Sequence, residues 1–301
     1  MRKTKGVWIV AVMVLAMPAH AAAPSLSSSS AALSARSECV PFEWKGDGRS
    51  TKGAIVLPVT VDGKLMQWQL DTGADVNMSY GSVADQAGLS QAKDSQFDVR
   101  TLSIGTTSIT NSFTFIRREM GDDDGVTGTL GLNSLMGRIA VIDYPAKSFC
   151  LFEETKLPHL FWSATYINAV LRDRKLFVPV EIGSFKSDAI LFDTGSSEVA
   201  LNVDMPLWHK INGKASTSQS DRRIDGQAWG KTITLFGTVS SDYMRLGTIN
   251  LGKQIVFTEK TSDTFASYDY RIDGIMGNAA VWDGIVILDL SVRTRIGIIR
   301  P

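Results

Sequence analysis

The sequence predicts an all-β protein made of two related lobes with a central cleft. Two observations support this prediction. First, Val, Ile, Thr and Phe alternate with polar residues in most of the apolar runs, such as AIVLPVTV at 54–61 and KTITLFGTV at 231–239. This period of two is typical of strands with one buried face. Second, one order of elements occurs twice along the chain.

The repeated unit begins with two β-rich runs joined by a Gly-containing turn, and it leads into Asp-Thr-Gly. The first copy reads LPVTVDGKLMQWQLDTGA and the second VPVEIGSFKSDAILFDTGS, so that Asp71 and Asp193 occupy matching positions. Each copy continues with a short helix-like run that ends at a Gly. Each then reaches an apolar-Gly element, Leu130-Gly131 in the first and Ile275-Met276-Gly277 in the second. Matches in the same order indicate a duplicated lobe.

The first 21 residues are typical of a cleaved export signal. A basic start precedes an apolar run at 7–17, and Ala19-His20-Ala21 matches a small-x-small cleavage site. The run is too short for a comfortable membrane span. We therefore predict an exported bacterial protein, periplasmic or secreted, without stable membrane insertion.

The rest of the chain divides into three predicted parts. Residues 22–52 form a Ser/Ala-rich linker, and its composition to about Arg36 is typical of disorder. The first lobe is assigned to 53–156. A connector and the second lobe are assigned to 157–301.

Both cysteines, Cys39 and Cys150, lie in the predicted exported part. An even count in an oxidising compartment favours one disulfide, which would be worth about 4–5 kcal/mol in the chain-entropy description. Two buried free thiols stay open as an alternative, because sequence does not show whether the Cβ atoms can meet.

Neither the charge nor the motif content of the sequence predicts a nucleic acid, a membrane or a cofactor as a partner. Lys+Arg and Asp+Glu each number 31, so the formal net charge is zero, and neither nucleic acid nor an anionic membrane is expected as a partner. The sequence contains no Walker loop, Rossmann fingerprint or paired Cys/His signature. We expect no cofactor, no metal and a monomer.

In its duplicated pattern the chain resembles the bilobal, pepsin-like aspartic proteases from about residue 53 to 299, and LDTGAD is also similar to single-lobe retroviral-type proteases. The resemblance implies a pseudo-twofold fold in which Asp71 and Asp193 meet at the cleft and share a proton. One carboxylate would activate a water while the other protonates the substrate carbonyl. It thus implies a cofactor-free aspartic endopeptidase that cleaves peptide or protein substrates at acid to mildly acidic pH.

The same interpretation assigns a supporting role to Thr72, Gly73, Thr194, Gly195 and Ser196. The glycines let each loop turn sharply and let backbone N–H groups approach the carboxylate. The threonine hydroxyls can hydrogen-bond across to the opposite loop. Ser196 can also hydrogen-bond Asp193, whereas Ala74 is expected to offer Asp71 no hydrogen bond, so the two carboxyls are expected to differ in acidity.

The chain departs from the pepsin-like pattern where a flap is expected. The region 89–118 is short and contains no Tyr, whereas the longer second lobe could form a flap-like hairpin that places Trp229 over the cleft. The weak first-lobe flap keeps a second hypothesis open, a catalytically silent module that binds a peptide or protein in the cleft. For each Asp the simpler alternative is a turn carboxylate that caps its own loop.

Overall fold

A computed structural model describes residues 24–46, 50–89, 95–110, 113–119, 125–228, 231–260, 265 and 269–301. The predicted export signal at 1–21 lies outside these residues. No helix in the described ranges has the length and apolar content that crossing a bilayer requires.

The first half of the chain contributes twelve strands and two helices to the described structure. In chain order they are α1 (Leu26–Ser34), β1 (Cys39–Pro41), β2 (Glu43–Lys45), β3 (Ala54–Val61), β4 (Lys64–Leu70), β5 (Asn77–Tyr80), α2 (Gly81–Gln86), β6 (Gln96–Val99), β7 (Leu102–Ile104), β8 (Thr107–Ile109), β9 (Phe113–Arg118), β10 (Val126–Leu130), β11 (Ile139–Asp143) and β12 (Ser148–Phe152).

The second half repeats this series with one additional hairpin strand. Its elements are β13 (Tyr166–Asn168), β14 (Val170–Arg172), β15 (Lys175–Ile182), β16 (Phe185–Phe192), β17 (Leu201–Val203), α3 (Met205–Asn212), β18 (Arg222–Ala228), β19 (Lys231–Val239), β20 (Met244–Leu246), β21 (Ile249–Gly252), β22 (Ile255–Glu259), β23 (Gly274–Met276), β24 (Ile285–Asp289) and β25 (Arg295–Ile299).

The sheet of each lobe has the same strand order, which confirms the predicted duplication. The first lobe's sheet runs β6-β9-β5-β10-β4-β3-β7-β8, with β2 paired to β3. The second lobe's sheet runs β18-β19-β22-β17-β23-β16-β15-β20-β21, with β14 paired to β15. When β6 of the first sheet is aligned with β19 of the second, the two orders match strand by strand. The unmatched strand is β18, which lies where the second lobe's extra sequence was noted.

A six-stranded sheet joins the lobes and contains the pseudo-twofold axis. Its order is β1-β12-β11-β24-β25-β13, so each half of the chain supplies three strands. At its centre β11 and β24 pair antiparallel, with Val141 opposite Ile287. All residues of both strands are buried, and each fully buried aliphatic side chain contributes about 1.5–3 kcal/mol to stability. This sheet thus connects the two halves of the chain through fully buried strands.

The disorder predicted for residues 22–36 is wrong for the part that the structure describes. Residues Leu26–Ser34 form α1, which begins at Ser25, whose side chain accepts a hydrogen bond from the Ser28 N–H. Leu33 is 1% exposed and packs with β11, β12 and β24 residues of the six-stranded sheet. Composition alone favoured disorder, but burial of this apolar side chain against a sheet face stabilises the helix.

Two short segments further along the predicted linker belong to the sheets, since β1 pairs with β12 and β2 pairs with β3. The lobe limits 53–156 and 157–301 stay predictions. The predicted disulfide is confirmed: Cys39 and Cys150 lie opposite each other in the β1–β12 register and are bonded.

The predicted turns and helices around the Asp-Thr-Gly segments are present. Asp62 and Gly63 form the turn between β3 and β4 with φ values of 45° and 81°, and Gly183 lies in the turn between β15 and β16 with φ 56°, as expected of tight hairpin turns. Helix α3 begins at Asp204, which accepts from the Leu207 N–H at 2.9 Å, and ends at Gly213 with φ 65°. These elements fix the strands that carry the two loops.

Candidate active site

Each Asp-Thr-Gly loop is fixed at the end of a pair of parallel strands. The Asp71 N–H donates to the Leu130 carbonyl at 3.0 Å, and the Asp193 N–H donates to the Met276 carbonyl at 2.9 Å. A Cβ on Gly131 would lie 2.5 Å from the Val76 carbonyl oxygen, closer than a real Cβ contact. The predicted apolar-Gly elements therefore lie directly against the loops, where glycine permits the close approach.

Thr72 and Thr194 connect the two loops at the centre of the molecule. The Thr72 N–H donates to the Thr194 hydroxyl at 3.0 Å, and the Thr194 N–H donates to the Thr72 hydroxyl at 3.0 Å. The hydroxyls in turn donate to the Phe192 and Leu70 carbonyls at 2.9 and 3.1 Å. Both side chains are fully buried. The predicted bonding across the loops is thus present in both directions.

Each glycine of the motif lies against the carboxyl group of the opposite loop. A Cβ on Gly73 would lie 2.5 Å from the Asp193 carboxyl carbon, and one on Gly195 would lie 2.6 Å from that of Asp71. Any side chain at either position would displace the opposite carboxyl. The structure therefore brings Asp71 and Asp193 together in a reciprocal arrangement that glycine alone permits.

The two carboxyl groups lie close together, each against the glycine of the opposite loop, and both residues are partly buried. Burial raises the pKa of Asp71 well above its ordinary 3.8, and the neighbouring charge of Asp193 raises it further. Burial likewise raises the pKa of Asp193, although hydrogen bonds from Asp71 and from the Gly195 backbone oppose that increase. Two close carboxyls with raised pKa values do not both ionise easily, so such a pair can share one proton.

Backbone donors contact both carboxyls. The Ala74 N–H donates to Asp71 Oδ1 at 3.0 Å, while the Gly195 N–H donates to Asp193 Oδ1 at 2.8 Å. The interpretation that Ala74 offers Asp71 no hydrogen bond was wrong, because a backbone N–H serves this purpose without a hydroxyl.

A basic pair from the second lobe reaches the first lobe's loop, and sequence reasoning missed it. The Lys175 ammonium donates to the Gly73 carbonyl and lies 3.6 Å from Asp75 Oδ1. Arg174 Nη2 lies 2.8 Å from Asp75 Oδ2. Only comparison of the duplicated strands could have indicated this feature: Lys175 and Ala54 both open the matching eight-residue strands β15 and β3.

Two buried asparagines stabilise the loops by hydrogen bonds, and sequence reasoning missed both of them. Asn77 Oδ1 accepts from the Gly131 N–H at 3.0 Å and from the Ser134 hydroxyl at 2.7 Å. Asn278 Nδ2 donates to the Thr194 carbonyl at 2.7 Å, and its Oδ1 accepts from the Tyr144 hydroxyl at 2.7 Å. The two asparagines lie at non-equivalent positions of the repeat, so comparison of the two copies could not identify them.

The hairpin predicted in the second lobe is present, but Trp229 lies outside the described residues. Strands β18 and β19 pair from Arg222 opposite Gly237 to Ala228 opposite Lys231. A cavity of about 500 Å³ lies along β18. It is lined by Glu198 and Ala200 after the second Asp-Thr-Gly, by Arg222–Asp225, and by Trp282. The space therefore extends from the second loop along the hairpin.

The paired carboxyls permit acid–base chemistry on a water molecule. One ionised carboxylate can remove a proton while its protonated neighbour donates one, and both groups are already in contact. Within the described ranges, no three or more His, Cys, Asp and Glu side chains are grouped so as to hold a metal ion.

Comparison with known proteins identifies relatives by structure only. No protein-family profile matches the chain, and no curated protein matches it. An aspartic proteinase from Irpex lacteus aligns with a TM-score of 0.52 at 14% identity, covering 87% of this chain and 96% of that one.

Two seed proteins align with lower TM-scores. Conglutin gamma, a basic 7S globulin from lupine seeds, gives 0.46 at 9% identity, covering 87% of this chain and 94% of its own. Basic 7S globulin from soybean gives 0.48 at 9% identity, covering 86% and 93%.

The likeness to the aspartic proteinase shows the fold. The chain has the all-β, two-lobed pepsin-like fold that its duplicated sequence predicts.

Proposed function

We propose that this protein is an aspartic endopeptidase in which Asp71 and Asp193 activate one water between them. The observation that carries the proposal is the reciprocal contact of the loops: the Gly of each loop lies against the carboxyl of the other, and Thr72 and Thr194 exchange hydrogen bonds. A turn carboxylate that only capped its own loop would need neither contact.

In the proposed reaction the ionised carboxylate takes a proton from the water while the water oxygen attacks the peptide carbonyl carbon. The protonated carboxyl gives its proton to the carbonyl oxygen, and a gem-diol forms. As this intermediate collapses, one of its hydroxyls returns a proton to the ionised carboxylate, the C–N bond breaks, and the leaving amine takes the proton of the other carboxyl. The dyad ends with one proton, as it began, and no covalent bond to the enzyme forms.

The substrate in this proposal is an extended segment of a peptide or protein that pairs with strand edges along the cleft. The cavity beside β18, with Phe257 and Trp282 among its apolar lining and Arg222 and Glu198 among its charged lining, suits side chains of such a segment. We place the enzyme outside the cytoplasm, in the periplasm or secreted, and as a monomer. The disulfide between Cys39 and Cys150 supports an oxidising compartment.

The test is cleavage of a mixed peptide library from about pH 3 to 7, a range chosen around carboxylate pKa values, with and without a statine-type inhibitor. The proposal expects inhibitor-sensitive cleavage at acid pH. It expects Asp71→Asn and Asp193→Asn each to abolish that cleavage while the circular dichroism spectrum is retained. Near-normal turnover by either variant would refute a shared mechanism.

The second candidate function is peptide or protein binding without hydrolysis. The first lobe's described strands between α2 and β10 are at most six residues long, whereas β18 and β19 have seven and nine. These short strands favour the second candidate, because they correspond to the weak first-lobe flap. Binding of library peptides without any cleavage, in the same experiment, would support this candidate.

A further inference from the structure

Lys175 breaks the pseudo-twofold symmetry next to the paired carboxyls. It begins β15 in the second lobe, yet its ammonium donates to the carbonyl of Gly73 in the first lobe's loop. The position that matches it in the first lobe is Ala54, which begins β3 and carries no charge. The cation is therefore present on one side of the axis only.

The contact places this ammonium close to the dyad. Gly73 is the residue whose absent Cβ would lie 2.5 Å from the Asp193 carboxyl carbon, and it is two residues from Asp71. The Lys175 side chain is 12% exposed. A charge this close and this poorly solvated is screened weakly, so it acts on both carboxyls.

The local charges leave one positive charge in excess. Asp75, 28% exposed, faces both Arg174, 74% exposed, and Lys175, so one carboxylate is shared by two cations. Nearby, Arg172 and Asp173 form a pair at 3.9 Å and cancel. The phenol of Tyr270 faces the same group, where burial and then the charges of Asp173 and Asp75 raise its pKa, so it stays neutral. The excess charge balances a dyad that carries one negative charge.

We propose that Lys175 is a positioning residue for the dyad. It holds the Gly73 carbonyl across the lobe interface and supplies the positive charge that sets the pH range over which Asp71 and Asp193 share one proton. The charge of Lys175 lowers the pKa of both carboxyls, against the larger effect of burial. Its importance for catalysis depends on the proposed peptidase function, but its electrostatic effect does not.

The experiment follows the ionisation of the Asp side-chain carboxyl carbons by carbon-13 NMR in the full chain, which needs no substrate. Because removal of a positive charge disfavours the ionised form, Lys175→Met is expected to move both dyad titration steps upward by about one pH unit. Lys175→Arg keeps the charge and is expected to titrate like the wild type. Lys175→Gln keeps a donor for the Gly73 carbonyl but not the charge, and it should behave like Lys175→Met.

Arg174→Met is the matched control, because it removes a cation from the same Asp75 but from a largely exposed side chain that does not contact Gly73. A clearly smaller shift is expected. Overlapping curves for Lys175→Gln and the wild type, or an equal shift for Arg174→Met, would overturn the proposal.

If the wild type cleaves peptides, both limbs of the plot of kcat/KM against pH should move to higher pH in Lys175→Met, together with the NMR titration steps. If it cleaves none, the peptidase proposal fails, and the NMR comparison still decides the role of Lys175.

Discussion

Thr72 and Thr194 each accept a hydrogen bond from the backbone N–H of the other, at 3.0 Å in both directions. The two loops are therefore held as one unit although 122 residues separate their threonines. This exchange, rather than either loop alone, keeps the two carboxyl groups in contact.

Replacement of Thr72 by Val should destabilise the protein by about 2–4 kcal/mol. Thr72→Val keeps the shape of the side chain but leaves the Thr194 N–H and the Phe192 carbonyl unpaired and buried, and each such group costs about 1–3 kcal/mol. The free energy of unfolding in urea measures the effect. Thr72→Ser retains the hydroxyl and should recover most of the loss; a Val variant as stable as the wild type would show that the exchange contributes nothing.

Gly73→Ala should lower the rate of cleavage by about 100-fold even where the chain still folds. The new Cβ would displace the Asp193 carboxyl, and a displacement of about 1 Å can cost about 100-fold in rate. Cleavage of a library peptide at fixed pH measures the loss. Gly63→Asn is the control: Gly63 has φ 81° with no atom within 4 Å of an added Cβ, and Asn tolerates this conformation. Full activity in Gly73→Ala would contradict the close approach of the loops.

The contribution of Asp71 and Asp193 to the stability of the protein should fall as pH rises from about 4 to 7. Burial raises the pKa of Asp71 and Asp193 in the folded state, so the folded protein binds more protons than the unfolded chain in this range. The stabilisation by protonation is complete below the unfolded pKa and is lost as pH rises through the folded value. Asp71→Asn removes one titrating group, so the difference in melting temperature between pH 4 and 7 should shrink. An unchanged difference would mean that the dyad does not titrate as described.

Loss of the disulfide should lower the free energy of unfolding by about 4–5 kcal/mol in the chain-entropy description, because the bond closes a loop with a sequence separation of 111 residues. The double variant Cys39→Ser/Cys150→Ser measures this against the oxidised wild type. The fold should persist, since the six-stranded sheet is held by its own buried strands. A change below about 1 kcal/mol would place the stabilisation elsewhere.

The fold could be predicted because the sequence features that specify it are local and occur twice. The Asp-Thr-Gly loops, the turn at Asp62-Gly63 and the glycines before β11 and β24 depend on short segments whose chemistry can be read directly. Reading the second copy beside the first then fixed the architecture.

What could not be predicted depends on contacts between distant segments. Helix α1 has a composition typical of disorder and is ordered by the burial of Leu33 on a sheet that the local sequence does not encode. Lys175 and Asn278 reach the loops from other elements, without any motif of their own. Only the three-dimensional arrangement shows that these side chains meet the site.

The most direct measurement is a carbon-13 NMR titration of the Asp71 and Asp193 carboxyl carbons in the wild type and in Asp193→Asn. Two carboxyls that share one proton should ionise in two steps more than about one pH unit apart, with the upper step above the ordinary Asp value. Asp193→Asn should leave a single step for Asp71. Two overlapping steps near the ordinary value in the wild type, unaffected by Asp193→Asn, would contradict the shared proton.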